Sequence, residues 1–336
     1  MNKIRVGING FGRIGRMTLR ALLKNENIEI VAINDLSSTA TLAHLFKYDS
    51  VHGKFQGAIE VHEKHLVIND NIVFVYSSKE PEGLPWKDLN VDVIIESTGI
   101  NRSEEHAEKH IIAGAKRVII SAPTKGKDNI KTVVLGINES ILDRNDFIIS
   151  NASCTTNCAA PIFKILDDLC GVETGFLSTV HAYTSDQRLH DAQHSDLRRA
   201  RAAGVNIIPT TTGAAKTVVK VLPHLQGKLS GSALRVPVSS GSLTEFTCQV
   251  KTPKSKEEIN AAFKKAAETS LKGILEYTDE PIVSTDIIGN SHSSIFDAEL
   301  TEVNGNLVKL SSWYDNEAGY SNRLADLVEY IRKNLL

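Results

Sequence analysis

Two cysteines four residues apart, Cys154 and Cys158, sit in the run SNASCTTNCAAP (150–161), directly after the strand-like FIIS (147–150). Four chemistries use such a pair: a disulfide, a metal clip, buried thiols, or one nucleophilic sulfur. A metal site lacks a second ligand pair at close spacing, because the next histidine, His181, is 23 residues past Cys158. Buried thiols suit Cys158 and Cys170, which fall in the apolar helical run AAPIFKILDDLC. They suit Cys154 poorly, since Ser153, Thr155, Thr156 and Asn157 surround it with hydrogen-bonding groups. A thiol at a helix start is partly stabilised as thiolate, and Pro161 is tolerable close to a helix's first turn. A nucleophilic cysteine also needs a base. His181, in STVHAYTSDQ at the end of a predicted strand, is the best candidate, although eleven histidines leave the pairing open on spacing alone.

A second chemistry is written into GFGRIG (10–15), a G-x-G-x-x-G placed between a strand, KIRVGI (3–8), and a helix, RIGRMTLRALLKN (13–25). Asp35 ends the next strand, IEIVAI (28–33) plus Asn34, 20 residues past Gly15. That context is the one a dinucleotide needs. Gly10 permits the tight turn, Gly12 the close approach of a pyrophosphate, and Gly15 the packing of helix on strand. The helix N-terminus offers unpaired N–H groups and partial positive charge. Asp35 would accept from an adenosine ribose and repel a 2′-phosphate, which favours NAD over NADP. Leu36, Ser37 and Ser38 soften that choice.

These residues need a frame, and the chain provides two textures. In the first half, the apolar runs VDVIIEST (91–98), RVIIS (117–121), TVVLGI (132–137) and FIIS continue an alternation of strand and helix. SEEHAEKHIIAGA (103–115), with a Ser cap and acidic first turn, is one of the helices. Continuous apolar strands alternating with helices predict a mostly parallel sheet covered on both faces. After about residue 150, FLSTVHAY (176–183), SALRVPV (232–238), SLTEFTCQVK (242–251) and LVKLSSWY (307–314) read as longer alternating strands of an antiparallel sheet. HDAQHSDLRRARAAGVNIIP (190–209) is long, polar and loop-like. The expected class is α/β: a Rossmann-type doubly wound domain over 1–152, rejoined by a terminal helix at 317–336, and a catalytic α+β domain over 153–316.

The 336 residues are 41% hydrophobic and 23% charged, with formal net charge −2, so no global basic field invites nucleic acid or an anionic membrane. No apolar run reaches the roughly 18–20 residues of a membrane span. The opening MNKIRVGING lacks an apolar signal core, and four cysteines are too sparse for a disulfide scaffold. The expectation is a cytoplasmic chain with reduced thiols, in which sequons at Asn101 and Asn151 carry no meaning.

INGFGRIGR, SNASCTTNCAAP, STVHAYTSDQ, DLRRARAA, PTTTGAAK and WYDNEAGYSNR occur in this order, and together the chain resembles the phosphorylating glyceraldehyde-3-phosphate dehydrogenase family over essentially its whole length. The resemblance implies that Cys154 attacks the aldehyde of glyceraldehyde 3-phosphate, that a thioester follows oxidation by NAD, and that inorganic phosphate cleaves it. His181 would form an ion pair with the thiolate and handle the proton. It further implies phosphate contacts from Thr184, Arg199 and Arg235, and from Ser153, Thr155, Thr212 and Gly213. On the cofactor side it adds Arg13, Ile14, Lys79, Ser121 and Asn316 to the glycines and Asp35. Tyr320 would serve packing, and Cys158 would be a structural thiol. A homotetramer is implied, with 190–209 crossing a subunit interface.

Three departures stand out. RVPVSSGS (235–242) replaces the common RVPTPNVS, Ala318 replaces a Trp in YDNEWGYSNR, and HDAQHSDLRR lacks a proline carried by many strictly NAD-using members. The last keeps NADP use open. The rival within the resemblance is erythrose-4-phosphate dehydrogenase, against which TTTGAAK and HAYTSDQ argue. A non-catalytic binding role has no basic–aromatic stripe to support it.

Overall fold

The computed structural model of the chain describes residues 3–126 and 129–336, which divide into two compact units. The first comprises residues up to Val133, then Ser140–Ala152 and Ser321–Leu336; the second comprises Val134–Glu139 and Ser153–Tyr320.

In the first unit, β1 (Ile4–Asn9) leads into α1 (Arg13–Leu22), β2 (Ile28–Asn34), α2 (Thr39–Lys47) and the short strands β3 (Ile59–Val61), β4 (His65–Ile68) and β5 (Asn71–Tyr76). Then follow β6 (Val93–Glu96), α3 (Glu104–Ile112), β7 (Arg117–Ile120), β8 (Lys131–Thr132) and β9 (Ile148–Ser150). They form one sheet in the order β3-β4-β5-β2-β1-β6-β7-β9-β8, in which β3, β4 and β5 pair antiparallel and every other neighbour is parallel. The parallel strands are buried on both faces, as β6 and β7 are at every residue, which is why they read as unbroken apolar runs. Their cover includes Trp86, Leu84, Ala107 and Ala115, packed on Ile94, Val118 and Ile120.

Two differences from the sequence expectation have local causes. The β3–β5 meander was not foreseen: its strands are three to six residues long and half exposed, and Ile72 and Phe74 point their apolar bulk outward. Of TVVLGI (132–137) only Thr132 is strand, as the second residue of β8. Beyond it, Asn138 Oδ1 takes the Val134 N–H (2.9 Å) and the Ile137 N–H returns to Val134 O (3.1 Å), so the chain turns instead.

The second unit opens with α4 (Cys154–Cys170) and β10 (Val172–Ala182), then β11 (Ile208–Thr210), α5 (Ala214–Val221), β12 (Leu229–Val236), β13 (Ser242–Val250) and α6 (Lys256–Glu268). It continues with β14 (Leu275–Thr278), β15 (Ser294–Asp297), β16 (Glu302–Asn304) and β17 (Leu307–Tyr314). The sheet runs β11-β12-β10-β13-β17-β15-β14 with β16 paired to β17, mostly antiparallel, with parallel pairs at β10–β12 and β14–β15. Strand β13 alternates buried with more exposed residues along its length, the period-2 pattern its sequence shows. Helix α6 starts with a full capping box, Ser255 and Glu258 each bonding the other's backbone N–H.

Helix α7 (Ala318–Asn334) closes the chain. Leu324, Leu327, Val328 and Ile331 form its buried stripe at i, i+3, i+4 and i+7. The segment 190–209 is tied by an isolated bridge from Ala202 to Arg188 just before it, and it holds a 3-10 turn before β11. Among the described residues no helix is long and apolar enough to cross a membrane.

Candidate active site

The sulfur is placed by the start of α4. Ser153 is the N-cap: its Oγ accepts the Thr156 N–H (3.1 Å), and Cys154 is the first helical residue. The helix runs on through Pro161, its eighth residue, well past the first turn where the sequence reading allowed it. A proline there removes the donor for the Asn157 carbonyl, a cost that burial of Ala159, Ala160, Ile162 and Phe163 around it offsets.

The imidazole is placed by β10. His181 Nε2 lies 3.5 Å from Cys154 Sγ, although the two are 27 residues apart in the chain. The Tyr314 ring meets the imidazole edge-on at 5.9 Å between centroids. Tyr314 Oη is itself held between Thr155 Oγ1 and Thr179 Oγ1, each at 2.9 Å. Tyr314 and Thr179 escaped the sequence reading, because nothing in a tyrosine at the end of a strand marks it as the floor of a site.

On the other side of His181, Nδ1 lies 2.7 Å from the Ala182 carbonyl and 2.6 Å from Arg235 Nη1. Strand pairing explains this, since His181 is opposite Arg235 in the β10–β12 register. Arg235 also donates to Ala182 O (2.9 Å). Burial pushes the Cys154 thiol up and, together with the Arg235 and Arg199 charges, brings His181 down to about 3. The guanidinium of Arg235 and the backbone at the start of α4 pull the thiol the other way.

Arg199 reaches the same region from the 190–209 segment. It pairs with Asp186, and its Nε donates to Thr210 Oγ1 (2.9 Å). Thr184 follows β10 and shares a turn with Gln187. Thr212 and Gly213 lead into α5, where Thr212 Oγ1 accepts the Ala214 N–H (3.1 Å) and a Cβ on Gly213 would meet nothing within 4 Å. Thr155 Oγ1 lies 2.9 Å from Tyr314 Oη, and its side chain also reaches the Cys154 thiol. Cys158 is fully buried beside Ser294 and Ser312, and burial raises it to about 12.

Asn316 sits just past β17, where Ser242 Oγ donates to its Oδ1 (3.0 Å). Its neighbour Asp315 receives Ser240 Oγ (2.9 Å) and the Ala318 N–H (3.0 Å). Ser240 belongs to the departure in RVPVSSGS and supplies a hydroxyl that orients Asp315, whereas Ser242, which holds Asn316, is the serine that RVPTPNVS also has.

In the first unit the glycine-rich turn has the features a pyrophosphate requires. Gly10 has φ +90°, and a Cβ there would lie 2.6 Å from Thr98 N. A Cβ on Gly15 would lie 2.2 Å from Gly10 O, whereas Gly12 faces open space. Helix α1 has no side-chain cap at Gly12, which leaves its first N–H groups for an anion. Asp35 accepts the Phe11 N–H (2.9 Å) and the Ser37 N–H (3.0 Å), tying the end of β2 to the turn. Arg13, beside Ile14 at the start of α1, is held by Asp49, whose carboxyl backbone N–H groups and Arg13 keep far below the usual range against desolvation. Asp49 was also invisible in the sequence. Lys79 is exposed, and Ser121 follows β7 with its N–H on Glu96 O (2.9 Å). Ser38 caps α2, so the polar run after Asp35 has a structural duty.

A family model described as the glyceraldehyde 3-phosphate dehydrogenase NAD binding domain matches residues 4–104. The model of that family's C-terminal domain matches residues 153–316. The chain belongs to the glyceraldehyde-3-phosphate dehydrogenase family. It is 54% identical to the glyceraldehyde-3-phosphate dehydrogenase of Mycobacterium avium, over 99% of each chain. The counterpart from Streptomyces coelicolor is also 54% identical over 99% of each, and that from Geobacillus stearothermophilus 52% over 98% of each. Within this family frame Ala318 is a buried helix-start residue, 2% exposed. Among the described residues no group of three or more His, Cys, Asp or Glu could hold a metal ion.

Proposed function

We propose that the chain oxidises and phosphorylates D-glyceraldehyde 3-phosphate to 1,3-bisphosphoglycerate with NAD, through a thioester on Cys154. One observation carries this reading: the first residue of a capped helix places its sulfur 3.5 Å from an imidazole whose far side faces an arginine.

When the substrate phosphate engages Arg235, Arg199 and Thr184, His181 Nδ1–H donates to Ala182 O and Nε2 faces the sulfur as a base. His181 takes the thiol proton as Sγ attacks the aldehyde carbon, then returns it to the oxygen, giving a thiohemiacetal. The Cys154 N–H at the helix start stabilises the developing oxyanion. Bound NAD supplies the hydride acceptor. His181 removes the hydroxyl proton during that oxidation, which leaves a thioester on Cys154. Inorganic phosphate, held by Ser153, Thr155, Thr212 and Gly213, attacks the thioester carbon and releases the sulfur. Gly10, Gly12, Arg13, Ile14 and Gly15 would hold the pyrophosphate, Asp35 the ribose, Lys79 the adenine edge, and Ser121 and Asn316 the nicotinamide.

The thiols are free, in keeping with a cytoplasmic enzyme. Leu197, Val205 and Ile207 are 67–82% exposed on the 190–209 segment, and Leu189 just before it is 81% exposed. That much apolar surface fits burial by a second copy of the chain in a homotetramer. The relatives' names favour the three-carbon aldehyde over erythrose 4-phosphate.

The deciding experiment follows NADH formation with glyceraldehyde 3-phosphate, with and without inorganic phosphate. Sustained turnover is expected only with phosphate. Turnover indifferent to phosphate would mean that water resolves the acyl-enzyme and would overturn the reading.

A further inference from the structure

Beneath the glycine-rich turn lies a buried polar relay that the proposed chemistry does not use. Its centre is Glu96, the last residue of β6 and 2% exposed. Thr98 gives Glu96 Oε1 both its backbone N–H (2.9 Å) and its hydroxyl. Glu96 Oε2 faces Asn9 Nδ2 at 2.5 Å and His110 Nε2 at 3.1 Å.

The protonation pattern follows from donor chemistry. Trp86 Nε1–H can only donate, and it points at His110 Nδ1 from 3.0 Å. Nδ1 must therefore carry the lone pair, and the proton sits on Nε2, aimed at Glu96. Every neighbour of the carboxylate is then a donor, and an acceptor-only anion is the form that satisfies them all.

The relay extends sideways across the strand ends. Asn34, Asn9 and Glu96 are aligned in the β2–β1–β6 register. Asn34 Nδ2 donates to Asn9 Oδ1 (2.7 Å), and Asn34 Oδ1 takes the Ser78 N–H (2.9 Å). The next residue after Asn9 is Gly10, and after Asn34 it is Asp35. Thr98 N, bonded to Glu96, is the atom against which the Gly10 turn packs.

We propose that Glu96 is a positioning residue for the dinucleotide. Its buried carboxylate, acting through Asn9, Asn34 and Thr98, locks three strand ends so that the Gly10 turn and Asp35 are preset to receive the cofactor. The proposal rests on the NAD reading above. A glutamine cannot replace the carboxylate. If its oxygen faces Thr98, its NH2 confronts Asn9 Nδ2 and His110 Nε2–H. If turned round, its NH2 confronts the fixed Thr98 N–H.

The test titrates the whole protein with NAD by calorimetry and compares steady-state constants. Glu96→Gln is expected to raise the NAD Kd at least tenfold and the KM for NAD in step. The KM for the aldehyde and the rate of Cys154 alkylation by iodoacetamide should stay within twofold, a split that general loosening of the fold would not give. Asn34→Ala cuts the relay without touching the buried charge, and it should raise the NAD Kd at least threefold. Where Glu96→Gln fails to fold, Asn34→Ala decides alone. Folded variants that bind NAD within twofold of wild type overturn the proposal and leave the cofactor reading intact. A wild-type protein that does not bind NAD overturns both.

Discussion

At the scale of single residues, the two cysteines that look alike in SNASCTTNCAAP have different fates four positions apart. Cys154 opens α4 beside an imidazole, while Cys158 is one turn deeper, fully buried and raised to about 12. Cys154→Ser is expected to lower kcat by at least about a thousandfold while NAD still binds, whereas Cys158→Ser should keep most of the activity. Initial rates and an NAD titration on both variants check this, and an active Cys154→Ser would remove the nucleophile assignment. His181→Asn should cost about 10²–10⁴ in kcat. Low acid tolerance belongs to the same residue. With a folded-state value of about 3 against an ordinary 6.5, the imidazole stays neutral and usable as a base through neutral pH. Its contribution to stability is present above 6.5 and is lost as pH falls towards 3. His181→Asn should therefore flatten the fall in unfolding midpoint across that window. A midpoint curve parallel to that of wild type would contradict the depressed value.

Elements turn these residues into sites, and two of them offer sharp tests. The join of β1 and α1 has no room at Gly15, where a Cβ would lie 2.2 Å from a backbone oxygen. Gly15→Ala should raise the NAD Kd at least about tenfold by forcing the turn open. Binding at wild-type strength would show that the turn can yield. At the far end of the chain, α7 closes on an ion pair in which Arg332 meets Glu329 at 2.6 Å and 2.8 Å, with Lys333 and Asn25 adding donors. These donors hold Glu329 at about 2, below its ordinary 4.5. A depressed carboxyl adds stability that is present above 4.5 and is lost as pH falls towards 2. Arg332→Ala should lower the unfolding midpoint at pH 7, with the gap closing near pH 2. An undiminished gap in acid would point to packing by the arginine stem instead.

For the whole molecule, the two units divide the chemistry, with the dinucleotide turn in the first and the sulfur and imidazole in the second. Assembly is tested at this scale. Leu197, 82% exposed on the long loop, should be an interface residue, so Leu197→Asp is expected to shift a tetrameric mass towards smaller species in light scattering. An unchanged mass would move the interface elsewhere. Much of this organisation was legible in the linear chain, because short-range patterns encode it. The apolar runs announced buried parallel strands, GFGRIG followed by Asp35 announced the glycine turn between strand and helix, and the run around Cys154 announced a helix start. What the tertiary structure decided is which distant groups meet. Strand pairing sets Arg235 behind His181, burial with the Arg235 and Arg199 charges depresses that imidazole, and sheet register brings Asn34, Asn9 and Glu96 into line. Local spacing fixes the conformation of a segment, but the environment of a titratable group depends on neighbours that only folding brings within a few ångströms.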